Sequence, residues 1–150
     1  MKLEPLKQWI CDECGKVINT IEDGWLEWEK SYSNNIKPRN FRIVHHKAAS
    51  PKAPYGDCYN KSSYISNMQL DYFCGIDGLS RLLTMFRNVE NPIELVEIIK
   101  RLHLPCYEEA KLYWSEAQED GYFEGASEEW PYLQNSLKEL IKRYGAENSS

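Results

Sequence analysis

A chain of 150 residues that is 42% hydrophobic and 27% charged, with 8 Gly and 7 Pro, has the make-up of one ordinary folded domain or two small ones, not of a disordered tail or linker. Its longest apolar segments are interrupted by Arg, Glu or Lys, so no stretch approaches the roughly 20 apolar residues of a membrane span. The start, Met1 to Gln8, has no apolar run before a small-residue cleavage site; a cytoplasmic location is expected, with no membrane partner. The net charge of -5 is unevenly placed: residues 1–60 carry 9 basic and 8 acidic side chains, residues 61–150 carry 9 and 15.

The first element is Cys11-Asp12-Glu13-Cys14-Gly15-Lys16. Two thiolates two residues apart can take adjacent corners of a tetrahedron, and Gly15 permits the sharp turn that points amides at sulfur. Five cysteines is an odd number, and in a reducing compartment this CxxC spacing favours metal over a disulfide framework. Aromatic residues in Gly24-Trp25-Leu26-Glu27-Trp28-Glu29 then indicate a strand, Ser33-Asn34-Asn35 a turn, and Phe41-Arg42-Ile43-Val44-His45-His46 a second strand. Period-2 alternation puts Phe41, Ile43 and His45 on one face of that strand and Arg42, Val44 and His46 on the other. A lone hairpin is marginally stable in water, so a fastening is expected.

A closed metal site needs two more ligands beside Cys11 and Cys14, and the candidates are His45, His46 and Cys58, because Cys74 and Cys106 fall at or inside expected helices and read as small core residues. Opposite strand faces allow one histidine of the pair. His46, at the strand end beside the returning chain, is favoured with Cys58, and His45 is its substitute. The expected cofactor is therefore one zinc ion.

A boundary near residues 60–68 divides a zinc-binding β-hairpin module, 1–65, from a helical part, 66–150, giving an α+β chain. Four helices are expected in the second part. The first has Asp77 near its start and Leu79, Leu82, Leu83 and Phe86 as its stripe; the second is capped by Asn91-Pro92-Ile93-Glu94 and buries Leu95, Ile98, Ile99 and Leu102. The third runs from Pro105 to before Gly121, with Glu108, Glu109, Glu116 and Glu119 mostly outward. The fourth begins near Trp130-Pro131 and ends before Gly145, ahead of a frayed Asn148-Ser149-Ser150 tail.

The CxxCG knuckle and hairpin, clamped by a second ligand pair, resemble the zinc-ribbon and treble-clef proteins over about residues 9–60, a likeness specific for metal and silent on function. The layout is also similar to small bacterial or phage proteins of unassigned role that join such a knuckle to a helical bundle. The usual second CxxC is replaced here by the wider His46 to Cys58 spacing.

Three functions follow as expectations. The least demanding is a non-catalytic recognition or regulatory protein whose structural zinc stiffens the hairpin while the acidic helical part and aromatic side chains meet an unidentified protein partner. The second is nucleic-acid binding through residues 30–52, where Lys30, Lys37, Arg39, Arg42, Lys47 and Lys52 occur with no Asp or Glu among them. The third rests on Arg42-Ile43-Val44-His45-His46 after a CxxC knuckle, which is similar to the first strand of HNH nucleases and implies a water-activating strand-end histidine with Asn60 in support. That family's second cysteine pair and terminal helix histidine are missing, no other enzyme signature is present, and no catalytic residue is assigned.

Overall fold

The computed structural model of the chain describes residues 1–51 and 57–145. It is an α+β arrangement of antiparallel sheets followed by helices. β1 (Trp9–Ile10) pairs with β2 (Val17–Ile18) around the CxxC turn, where Gly15 takes φ 73°, the left-handed region open to a residue without Cβ. β3 (Gly24–Ser31) and β4 (Ile36–His45) form the expected hairpin. β5 (Ile65–Gln69) adds to the other edge of β3, giving the order β4-β3-β5. β5 is absent from the sequence reading because Ile65-Ser66-Asn67-Met68-Gln69 is mostly exposed and owes its place to the backbone ladder with β3.

α1 (Gly75–Met85) begins two residues before Asp77, with Cys74 as an N-cap that makes no side-chain hydrogen bond. Leu82 is fully buried, but Leu83, expected in the same stripe, is 53% exposed. Gly78 backs onto the turn before the helix so closely that a Cβ there would lie 2.1 Å from the carbonyl carbon of Phe73. α2 (Pro92–His103) follows its signals: the Asn91 side chain accepts from the Ile93 amide at 3.0 Å, and Leu95, Ile98 and Leu102 are buried. Glu94 does not close a capping box with Asn91; its carboxylate accepts from the Asn40 amide of β4 at 2.8 Å.

The single third helix expected from Pro105 is two short ones, α3 (Tyr107–Lys111) and α4 (Trp114–Glu119). The break falls at Leu112 and Tyr113, where the Tyr113 hydroxyl donates to the Met1 carbonyl at 3.0 Å and draws the chain start against this face. Glu108 and Glu109 are buried instead of outward. Trp130–Tyr132 form a 3-10 turn, and α5 (Gln134–Leu140) starts only after it, continuing as a wider π turn through Gly145. The tail expected at residues 148–150 lies outside the described residues.

Among the described residues two apolar cores result. The first brings Trp9, Leu26 and Ile43 of the sheets together with Leu82, Leu95 and Leu102 of α1 and α2, so it draws on both sides of residue 65. The second, around Tyr107, Ala110, Leu137, Leu140 and Tyr144, joins α3 to α5 and the π turn. Tryptophans expected as contact anchors serve these cores: Trp9 is fully buried and donates from Nε1 to the Arg101 carbonyl at 2.9 Å, and Trp114 stacks on Phe123 and Tyr132. Among the described residues no helix is long and apolar enough to cross a membrane.

Candidate metal centre

The knuckle is fixed before any ion is considered. The Cys11 amide donates to the Lys16 carbonyl at 2.9 Å and the Gly15 amide to the Cys11 carbonyl at 3.0 Å, which closes the turn and holds both sulfurs on one side. Asp12 then docks the turn onto β4 in both directions: its amide donates to the Ile43 carbonyl, and its carboxylate accepts from the Ile43 amide, each at 2.8 Å. Two residues further along β4 stands His45, paired with Gly24 of β3.

Cys11, Cys14, His45 and Cys58 each offer one ligand atom, and these four atoms all lie within 4.8 Å of one another. The Cys14 sulfur is 3.5 Å from His45 Nδ1, and the Cys58 sulfur is 3.8 Å from the same nitrogen. A tetrahedral divalent ion held by sulfur at about 2.3 Å and by imidazole nitrogen at about 2.0–2.1 Å puts the two ligand atoms about 3.6 Å apart, so the donors fit such an ion. Cys11, His45 and Cys58 are buried and Cys14 is half-buried. This group is able to hold a metal ion.

Surrounding bonds set the imidazole for that task. His45 Nε2 lies 3.1 Å from the Val17 carbonyl, an acceptor that can only receive a hydrogen bond; Nε2 therefore carries the proton and Nδ1 presents its lone pair to the sulfurs. Ser50 does the same for Cys58: the Cys58 amide donates to the Ser50 oxygen at 3.2 Å, and that hydroxyl lies 3.1 Å from the sulfur. Burial pushes the Cys58 thiol up to about 11, with Ser50 opposing the rise and the neighbouring Cys11 and Cys14 sulfurs adding to it. A cation standing among the sulfurs would oppose that rise at Cys58.

The histidine brought to the sulfurs is therefore His45, where sequence favoured His46. β4 persists through His45, so strand alternation sends the next side chain elsewhere. His46 Nδ1 accepts from the Ala48 amide at 3.0 Å, capping a 3-10 turn, and its ring lies 6.0 Å from that of Trp25. Cys74 and Cys106 stand apart from the cluster; burial, with the nearby Asp71 carboxylate, pushes Cys74 up to about 12, and burial raises Cys106. Asn60, cast in the nuclease reading, uses its side-chain oxygen to accept from the Ser62 amide at 2.9 Å in a local turn.

Both residues between the knuckle cysteines are engaged. Asp12 meets Arg101 of α2 at 2.7 Å, and Arg101, 4% exposed, grips Glu108 with two bonds of 2.8 Å and donates to the Ile10 carbonyl at 3.0 Å. Burial opposes the Arg101 charge, but Glu108 and Asp12 outweigh it and hold the guanidinium more firmly protonated than usual. Glu13 pairs with Arg42 at 2.7 Å, and Arg42 in turn reaches buried Glu27, whose other oxygen accepts from the Asn60 amide at 2.9 Å. Glu109 accepts from the Leu3 amide. Sequence reading missed this support, because nothing local ties Asp12 to a cation so far along the chain.

The candidate nucleic-acid residues fare unevenly. Arg39 pairs with Glu29 at 3.1 Å and Arg42 with Glu13 and Glu27, because the hairpin places acids of β3 opposite the cations of β4. Lys30, Lys37 and Lys47 have no carboxylate partner within salt-bridge distance among the described residues, and Lys52 lies outside them.

No protein-family model, no curated protein and no solved structure matches the chain.

Proposed function

We propose that Cys11, Cys14, His45 and Cys58 hold one structural zinc ion, and that the chain is a non-catalytic recognition or regulatory protein acting through protein–protein contacts. The carrying observation is the pair of S···N separations, 3.5 and 3.8 Å, inside a group of three thiols and one oriented imidazole. Four such ligands complete a closed shell, which is the structural and not the catalytic pattern of zinc. Zinc bound there supplies a cross-link between distant parts of the chain, and its binding free energy adds to folding. His45 Nε2 and Ser50 keep two ligands oriented, and Glu13 with Arg42 and Asp12 with Arg101 keep the knuckle against the sheet and α2.

The protein-contact reading draws further support from the basic stretch, where Arg39 and Arg42 are neutralised by carboxylates of the same sheet and knuckle. Metal analysis of the purified protein tests the first part: one zinc per chain, lost in Cys58→Ser, is expected. Cross-linked partners recovered with the intact protein and lost with His45→Ala test the second. Salt-sensitive retention on an oligonucleotide column, or divalent-dependent nicking of plasmid, would replace it with one of the alternatives.

A further inference from the structure

The hairpin does not stay flat beyond the metal cluster. From Glu27↔Arg42 to Glu29↔Arg39 and on to Ser31↔Ile36, each step advances two residues on β3 and three on β4, which is the signature of two bulges. Asn40, in the left-handed region at φ 56°, stands at the first. Bulged strands bend, and the bent end of this hairpin borders a half-open cavity of about 390 Å³ against the C-terminal end of α1. That volume is in the range of small-ligand pockets.

Its walls are specific in chemistry. Trp28 and Tyr32 from the hairpin and Met85 from α1 supply flat or deformable apolar surface, while Lys30 and Lys37 supply two ammonium groups. Among the described residues, no Asp or Glu lines the cavity. Glu29, next to Lys30 in sequence, is already engaged by Arg39 at 3.1 Å and Asn40 at 3.0 Å. Lys30 sits over the Tyr32 ring at 4.4 Å, which holds one charge beside an aromatic face.

We propose that this cavity is a binding site for a small organic anion with a flat apolar body, of the aromatic carboxylate or sulfonate class. The aromatic and thioether surfaces take the body, and Lys30 and Lys37 take the charge. The site is separate from the metal cluster and does not depend on what the zinc reading assigns.

The test titrates the protein as purified with 1-anilinonaphthalene-8-sulfonate and with its uncharged counterpart N-phenyl-1-naphthylamine. One saturable sulfonate site is expected. Replacing both Lys30→Ala and Lys37→Ala should weaken the sulfonate by about tenfold or more and leave the neutral probe within about twofold. Thr84→Trp, which fills the cavity, should abolish both. Circular dichroism, unchanged in each variant, keeps folding out of the comparison, and a variant that loses its spectrum is replaced by Lys37→Gln alone, expected to weaken the sulfonate severalfold. Equal affinity of the two probes for the unaltered protein, sulfonate binding unmoved by the lysine or Thr84 changes, or no saturable site at all would overturn the proposal.

Discussion

The carboxylate of Asp12 and the guanidinium of Arg101 meet at 2.7 Å although 89 residues separate them in sequence. One belongs to the turn that carries two cluster thiols and the other to the last turn of α2, so the candidate metal site and the helical part share a joint.

Arg101→Ala leaves Glu108 buried without its cation, and breaking such a pair from one side typically costs about 3–5 kcal/mol. Urea denaturation should show a loss of that order, and the variant should surrender metal to a chelator faster than the parent. A loss below about 1 kcal/mol would mean that water reaches Glu108 freely.

Within the cluster, His45→Ala and Cys58→Ser should each abolish stoichiometric metal, whereas His46→Ala and Cys106→Ser should retain it; elemental analysis after gel filtration reads this directly. Chelation of the parent should lower its melting temperature, since a ligand at a hundredfold excess over its Kd contributes about 2.7 kcal/mol to the folded state.

Gly78 and Gly75 separate crowding from backbone strain. Gly78→Ala places a methyl against the Phe73 backbone and should destabilise by at least the roughly 1–3 kcal/mol of an overpacked core. Gly75, at φ 69° with open space around it, should cost about 1 kcal/mol on the same change, the left-handed penalty alone. Equal losses at the two positions would argue against the close approach.

Cys74 is held protonated up to about 12 by burial, above the ordinary thiol value of 9.0. A folded-state pKa raised in this way contributes stability that is intact below about 9 and is lost as pH climbs toward 12, because the unfolded thiol ionises first. Tyr107, raised by burial and by Glu97, adds to the same slope. Stability measured from pH 8 to 11 should therefore fall, and Cys74→Ala should make the fall shallower. Cys74 should also alkylate slowly at pH 8.

What could be read from sequence was what is decided within a few residues. The CxxCG turn, the hairpin and the Asn91-Pro92 start of α2 all rest on local chemistry, and each stands where those residues put it. The histidine was a local question, and the answer lies one residue before the favoured one: β4 ends at His45, whose pairing with Gly24 sets which face it takes. Glu108 and Glu109 defeated periodicity altogether: their outward pattern is real for an isolated helix, but Arg101 and the Leu3 amide supply partners that no window of a dozen residues contains. β5 was invisible for the same reason, being held by backbone and not by an apolar stripe. In the cation stretch 30–52, one-sign charge along the chain became mixed charge across the hairpin.

Asp12 has a consequence for the order in which the chain can mature on the ribosome. The first two thiols leave the exit tunnel as a half-complete grip, Cys58 must follow before all four candidate ligands are present, and Arg101 comes later still. Until then the carboxylate between those thiols has no cation to answer it. A nascent chain stalled between these points would hold any metal ion it had bound in a knuckle not yet locked in place, and would surrender it more readily than the released protein.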